Sequence, residues 1–256
     1  FVAIFCFPLM IYSIYQHYVS NNTYINTFQQ KVIKQIIDFL NLGLEFKNDF
    51  LIEEHDYKAS SLYRHYYGDF NGSNLLKGRY KNVSFECSNL STEQEPRSVN
   101  GRTINIFNGL FFVAEISKNF TGATYIWTAG EEQLPVSIAE EEYRMMPLPH
   151  LREVKVANNP FNKCYTAYTT FASQAAFVLN DHFIHGLITL RNRVQKKVQC
   201  SVVAGKCYVS VPFGYPLFEP TGDNPTTKEK VQEYFLSVLF VLSIINELEL
   251  PNLLDY

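Results

Sequence analysis

The chain has 256 residues, 46% of them apolar, enough for one large core, and its 22 basic and 25 acidic residues give a net charge of -3. That balance provides no basic face for a phosphate backbone, so nucleic acid is excluded as the expected partner. The apolar content also excludes an intrinsically disordered chain.

The chain opens on FVAIFCFPLMIYSIY, and its first Lys, Arg, Asp or Glu is Lys31. Phe1–Tyr15 would form about 22 Å of helix against a hydrocarbon core of roughly 30 Å. Residues 1–20 are therefore expected to be the C-terminal part of a transmembrane helix that starts upstream. Tyr12, Tyr15, His17 and Tyr18 would form the aromatic belt at the headgroups, and Pro8 is tolerable inside a bilayer. A signal peptide fits less well, because no basic n-region and no A-x-A site precede Asn21. A buried soluble helix is the plain alternative. Lys31, Lys34 and Lys47 follow the exit without a matching acidic excess, so the positive-inside rule places the body in the cytoplasm at the bacterial inner membrane.

Residues 21–55 are expected to form an amphipathic linker helix, with Ile25, Phe28, Val32, Ile36, Phe39 and Leu40 on one side and an end at Gly43. The remaining 56–256 are expected to be one α+β domain, a mostly antiparallel sheet backed by long helices. Asp56 is predicted to cap a helix through YKASSLYRHYY, which ends before the turn-rich GDFNGSN. A strand is predicted in LKGRYKNVSFECSNL, with Tyr80 facing opposite to Val83 and Phe85. FNGLFFVAEISKNFTG is too short to span a bilayer and is apolar on both faces, as a central strand covered on each side would be, with Gly109 allowing a bulge or a close backbone approach.

Further strands are predicted at 123–128, 152–157 and 164–170, with a turn at Asn158, Asn159 and Pro160 between the last two. One helix is predicted from Ser173 to Val194, and then a hairpin in KVQCSVVAGKCYVSVPF joined at Ala204, Gly205 and Lys206. Thr226 with Glu229 makes a capping box for a last helix, Lys228 to Leu248, whose buried stripe is Val231, Phe235, Val238, Leu239, Leu242, Ile245 and Leu248.

Signals for chemistry are sparse. Cys6, Cys87, Cys164, Cys200 and Cys207 are odd in number and lack CxxC spacing, which speaks for a reducing compartment and against disulfides or zinc. The sequons at Asn21, Asn82, Asn89 and Asn119 carry little weight in so Asn-, Ser- and Thr-rich a chain. Asp181, His182 and His185 are the only weak metal candidates; two His three apart without a third do not make a site, so neither metal nor cofactor is expected. No nucleophile elbow, phosphate loop or dinucleotide fingerprint is present, and no enzyme activity is expected. Glu131, Glu132, Glu140, Glu141 and Glu142 lie in an acidic insertion, 129–149, that with Trp127 is expected to form a rim contacting a partner.

The pattern F-x-G-L-F followed by N-x-F-x-G falls on Phe107, Gly109, Leu110, Phe111, Asn119, Phe120 and Gly122, and L-F-E-P falls on Leu217, Phe218, Glu219 and Pro220. With CYTAYTTFASQAAFVLNDHFIHGLITLRNRV, these segments resemble, over about Ser61 to Leu248, a bacterial membrane-anchored family catalogued as a domain of unknown function. The resemblance implies hydrophobic helices before a cytoplasmic α+β domain, often encoded near LemA-like membrane proteins, with no catalytic residues to carry over. Two departures stand out. Asp181, His182 and His185 replace the family's Pro, Ser or Glu, and the acidic insertion is peculiar to this chain. The expected function is a membrane-anchored scaffold or protein-interaction domain, whose partners are the membrane and proteins such as a LemA-like protein or a second copy. A small-ligand or lipid-headgroup sensor is the alternative, and an unrecognised hydrolase is third.

Overall fold

The computed structural model describes residues 23–94, 103–132, 146, 148–220 and 226–254. The apolar segment 1–20 lies outside them. Among the described residues no helix is long and apolar enough to cross a membrane.

The first helix, α1, covers 23–28, a π-helical turn Gln29–Ile33, and Lys34–Leu40. Asn41, in the left-handed region at φ 51°, ends it two residues before the expected Gly43. Phe28, Ile33, Ile36 and Ile37 are buried, so this part of the segment 21–55 shares the core of the body.

Strand β1 (Glu45–Lys47) and helix α2 (Glu54–Ser60) come next. The N-cap of α2 is Glu53, not Asp56, and the helix stops at Ser60. Asp56 points inward to a lysine instead. GDFNGSN is not a turn either: it lies almost wholly in strand β2 (Asp69–Tyr80), which pairs with β3 (Val83–Gln94) as a long hairpin. Lys81 and Asn82, at φ 47° and 66°, form its two-residue turn, the conformation that matches strand twist. Tyr80 therefore sits opposite Val83 and on its face, correcting the expectation that they face apart.

Strands β4 (Ile104–Glu115) and β5 (Ala123–Thr128) follow, then β6, shortened to Arg152–Val154. The turn expected at Asn158 is a one-turn helix, α3 (Asn159–Asn162), because the Asn158 side chain accepts from the Phe161 amide at 2.9 Å. After β7 (Tyr165–Thr169) the single long helix expected over 173–194 is two, α4 (Ala172–Val178) and α5 (Asp181–Val194). Asn180 breaks it by capping the Phe183 amide at 3.0 Å. Strands β8 (Gln199–Val203) and β9 (Lys206–Val211) form the hairpin, turning on Ala204 and Gly205 alone. The last helix, α6 (Lys228–Glu247), is capped by Thr227, whose hydroxyl accepts from Lys230 N at 3.3 Å; Thr226 is not the cap.

The fold is α+β. Among the described residues all strand pairings are antiparallel, in one nine-stranded sheet of order β1-β2-β3-β4-β9-β8-β5-β7-β6. Strand alternation splits the apolar residues between two cores. On one face Leu110, Phe112 and Ala114 of β4 meet α1, α5 and α6; on the other Phe107, Phe111 and Val113 meet α2 and Leu62–Tyr63. Both faces of β4 are covered. A Cβ at Gly109 would run into the Val211 carbonyl, so the chain approaches β9 there as only glycine allows.

Gly186 plays the same part between helices, since a Cβ on it would collide with the Glu247 backbone at the end of α6. Gly186→Ala is predicted to push α5 and α6 apart and to cost about 2 kcal/mol or more, read as a lower midpoint in urea unfolding.

Candidate functional site

Helix α6 borders two apolar surface grooves. From Tyr234 to Asn246 its sequence, YFLSVLFVLSIIN, carries no charge, so it is apolar around most of its circumference. Val238, Val241, Leu242 and Ile245 turn into the core. That leaves Phe235, Leu236, Leu239 and Phe240 on its flanks, two of which, Phe235 and Leu239, were expected on the buried stripe.

One flank is a groove of about 400 Å³ walled by α6, the end of α5 and the segment after β9. Phe213, Tyr215, Leu217, Tyr234, Leu236 and Phe240 supply its apolar lining, and Arg193, Glu219 and Glu233 its charges. Tyr215 is 51% exposed and Leu236 53%. Arg193 braces the wall, donating to Ser243 Oγ at 2.8 Å and pairing with Glu247. Rings meet across it: Phe213 lies 5.7 Å from both Tyr215, tilted, and Phe240, edge-on.

The wall formed by Leu217 and Phe218 is fixed by buried amides. Asn89 Oδ1 accepts from Leu217 N at 2.9 Å while its Nδ2 donates to Leu217 O at 2.8 Å, pairing with the backbone as a strand would. Asn74 Nδ2 donates to Leu217 O at 3.1 Å, and Gln29 Nε2 donates to Asn74 Oδ1 at 2.6 Å. Gln29 sits in the π turn of α1, and Asn74 at φ 65° in the bulge of β2. Phe218, at φ 66°, packs edge-on against Phe46 at 5.9 Å. The L-F-E-P segment is thus a structural clamp beside the groove. Asn89 is 6% exposed, which removes it as a glycosylation acceptor in the folded chain.

The other flank is a groove of about 560 Å³ between α6 and α1, floored by Val32, Ile36, Phe39, Val231 and Phe235, with Lys31 and Lys228 its only charges among the described residues. Phe39 is 80% exposed and meets Phe235 edge-on at 6.5 Å.

A third, polar groove of about 390 Å³ crosses β2, β3, β4 and β9 and holds Glu45, Lys77, Glu86, Glu115 and Lys206. Beside it Asp56 accepts from Lys206 Nζ at 2.6 Å and from Tyr208 OH at 3.3 Å, the pairing that replaces its expected capping role. Burial first, then the Asp56 carboxylate, holds the Glu86 carboxyl above its ordinary value.

The expected site residues fall elsewhere. Trp127 is 0% exposed and stacks on Tyr125 at 5.1 Å, so it is not a rim residue: a ring on the covered face of an inner strand is core. Glu131 pairs with Lys197, and Glu132 accepts from Thr166 Oγ1 at 2.6 Å; Glu140, Glu141 and Glu142 lie outside the described residues. Asp181, His182 and His185 are exposed at the start of α5, where His182 Nδ1 lies 3.2 Å from Glu249 Oε1. Among the described residues no group of three or more His, Cys, Asp or Glu side chains could hold a metal. Cys200 and Cys207 are buried with sulfurs 3.9 Å apart, and burial pushes the Cys87 and Cys200 thiols up, away from reactive thiolates. Of the family-pattern residues, Phe107, Leu110, Phe111 and Phe120 are core, Asn119 is exposed, and the Gly122 amide donates to Gln174 Oε1 at 2.9 Å.

Sequence inspection missed the groove walls. Leu236 and Phe240 lie off the buried stripe of α6, and that surplus apolar sector was the available signal.

Residues 105–250 match a family described as "Protein of unknown function (DUF3137)". No curated protein matches the chain. Among solved structures, the crystal structure of the mycobacterial trehalose monomycolate transport factor A, TtfA, is similar at 8% identity and a TM-score of 0.38, over 85% of this chain and 94% of that one. A likeness at that level carries nothing from that protein to this chain.

Glu86→Gln tests the polar groove. Well below the carboxyl's ordinary value of 4.5 both folded and unfolded wild type are protonated; as pH rises through it the unfolded chain ionises first and the folded state loses stability. The variant is predicted to be more stable than wild type at neutral pH and to lose that advantage on acidification, measured by urea unfolding across the range.

Proposed function

We propose that this chain, which belongs to the DUF3137 family of proteins of unknown function, is a membrane-anchored domain that acts by docking a protein partner. Its soluble body faces the cytoplasm at the bacterial inner membrane, and it serves as a scaffold subunit of a membrane-associated assembly. The anchor is the apolar segment 1–20, and the lysines that follow it orient the body.

The groove holding Tyr215 and Leu236 is the observation that carries this reading. Its aromatic floor, its arginine and its rim of both signs have the composition of a protein interface. An amphipathic helix laid against α6 would cover Leu236, Phe240 and Tyr215 together, with Arg193, Glu219 and Glu233 meeting its polar edge. A LemA-like protein or a second copy of this chain would supply such a helix. Among the described residues the space between sheet and helices is filled, by mostly aliphatic side chains on one face and by aromatic rings on the other, which favours docking over a sensor or hydrolase built around an interior pocket.

Leu236→Glu places a charge in the groove at an exposed position, where folding is little affected. After crosslinking in cells and purification of the full chain in detergent, a partner recovered with wild type is predicted to be lost from Leu236→Glu at an unchanged unfolding temperature. Recovery of the chain alone across several detergents and crosslinkers, or the same partner held equally by the variant, would overturn the proposal.

A further inference from the structure

The groove between α1 and α6 differs from the partner groove in one respect that decides its occupant. Both have apolar floors, but the partner groove carries Arg193, Glu219 and Glu233, whereas among the described residues Lys31 and Lys228 are the only charges lining this one. Gln35 and Gln232 complete its polar rim without charge. A protein helix would find no anionic counterpart to fix its register here. A molecule that is hydrocarbon at one end and anionic at the other matches both halves.

Position in the chain points the same way. No Lys, Arg, Asp or Glu occurs before Lys31, which is itself a groove residue, and Lys31 stands 13 positions after Tyr18 (31 − 18). Even as continuous helix that interval spans about 20 Å, so a chain tethered through its first 20 residues holds the groove close to the headgroups. The ring of Phe39, 80% exposed, is then presented where an aromatic side chain partitions well, and the lysine stems cover apolar surface while their ammonium groups reach phosphates. The volume of about 560 Å³ lies within the range of small-molecule sites.

We infer that this groove binds an anionic phospholipid of the bilayer, its hydrocarbon against Ile36, Phe39, Val231 and Phe235 and its phosphate with Lys31 and Lys228. The inference rests on the tethering part of the proposed function and not on the partner groove.

The test uses the full chain carrying Phe39→Trp. Native Trp127 is 0% exposed and serves as an internal unquenched reference. The protein is mixed with vesicles of phosphatidylcholine alone, or with added phosphatidylglycerol, the acyl chains of either lipid being brominated in turn. Flotation reports the tether and quenching of the new indole at position 39 reports the groove. Quenching is expected from brominated phosphatidylglycerol above that from brominated phosphatidylcholine. It is expected to fall to the phosphatidylcholine level when Lys31→Glu and Lys228→Glu are combined, with unfolding temperature unchanged. Flotation without quenching, equal quenching by the two lipids, or quenching indifferent to the lysine changes would overturn the lipid site while leaving the tether standing. Quenching by phosphatidylglycerol without flotation on phosphatidylcholine would remove the tether and keep the site. Crosslinking between copies at position 39 in place of quenching would assign the groove to self-association and overturn the inference.

Discussion

Burial of β4 on both faces is the constraint from which the architecture follows. Phe107, Phe111 and Val113 project to one side and Leu110, Phe112 and Ala114 to the other, all at 3% exposure or less. Each fully buried large side chain stabilises the fold by about 1.5–3 kcal/mol, so neither face of this strand can be left to water. The sheet must be covered twice. Helices α1, α5 and α6 do it on one side, and the short α2 with the ordered segment around Tyr63 does it on the other. Tyr57 shows how dense the thinner cover is: its ring lies 5.3 Å from Phe111 and its hydroxyl 2.8 Å from Thr92 Oγ1. Arg64, also fully buried, donates from Nε to Met146 O at 2.8 Å and fastens residue 146 to the same layer.

The second organising element is polar. Gln29, Asn74 and Asn89 are almost wholly buried, a costly location unless their amides are paired. Except for Gln29 Oε1, which has no hydrogen-bond partner among the described residues, they are paired mainly with one another and with the backbone at Leu217 and Phe218, and so join α1, the β2–β3 hairpin and the segment before α6. Breaking any one would leave a donor or acceptor without water to replace its partner. The grooves on either flank of α6 therefore have rigid walls: Leu217 and Phe218 are set by the amide cluster, and Ile36 is part of the core.

Much of this architecture was legible in the sequence where period and chemistry agreed. Strand β5 and the hairpin of β8 and β9 stand where alternating β-branched and aromatic residues placed them, and of the stripe expected on α6 Val238, Leu242, Ile245 and Leu248 turn inward while Val231, Phe235 and Leu239 are only half-buried. Failures have local causes. The turn at Lys81 and Asn82 lacks the glycine that usually marks a two-residue hairpin, so β2 and β3 read as one strand. GDFNGSN looks like a loop by composition, yet Gly72 and the Asn74 bulge serve sheet packing and the amide clamp. Leu179 and Asn180 interrupt a continuous apolar periodicity by capping, which hydrophobic spacing does not register. The grooves were hidden for a different reason: composition could show that α6 had more apolar surface than one core needs, but not which neighbours left the remainder open.

That remainder has an order of its own. At 3.6 residues per turn, Val238, Val241, Leu242 and Ile245 form one stripe of α6, Lys228, Val231 and Phe235 a second that continues the same sector toward the N-terminus, and Leu236, Ser237 and Phe240 a third on the far side of the helix. The first stripe is satisfied within the fold. The other two share an apolar character and differ in charge, cationic on the α1 side and mixed on the α5 side. Hydrophobicity alone would let either flank accept either occupant, so charge is what can separate them. With the lysine flank turned to an anionic bilayer, the flank of Leu236 and Tyr215 is held away from it by the helix itself. A protein partner can then reach it without competing with lipid. On this geometry, reversing the lysines to glutamates should compromise the lipid flank and leave the partner flank intact, because the two surfaces share a helix but no side chain.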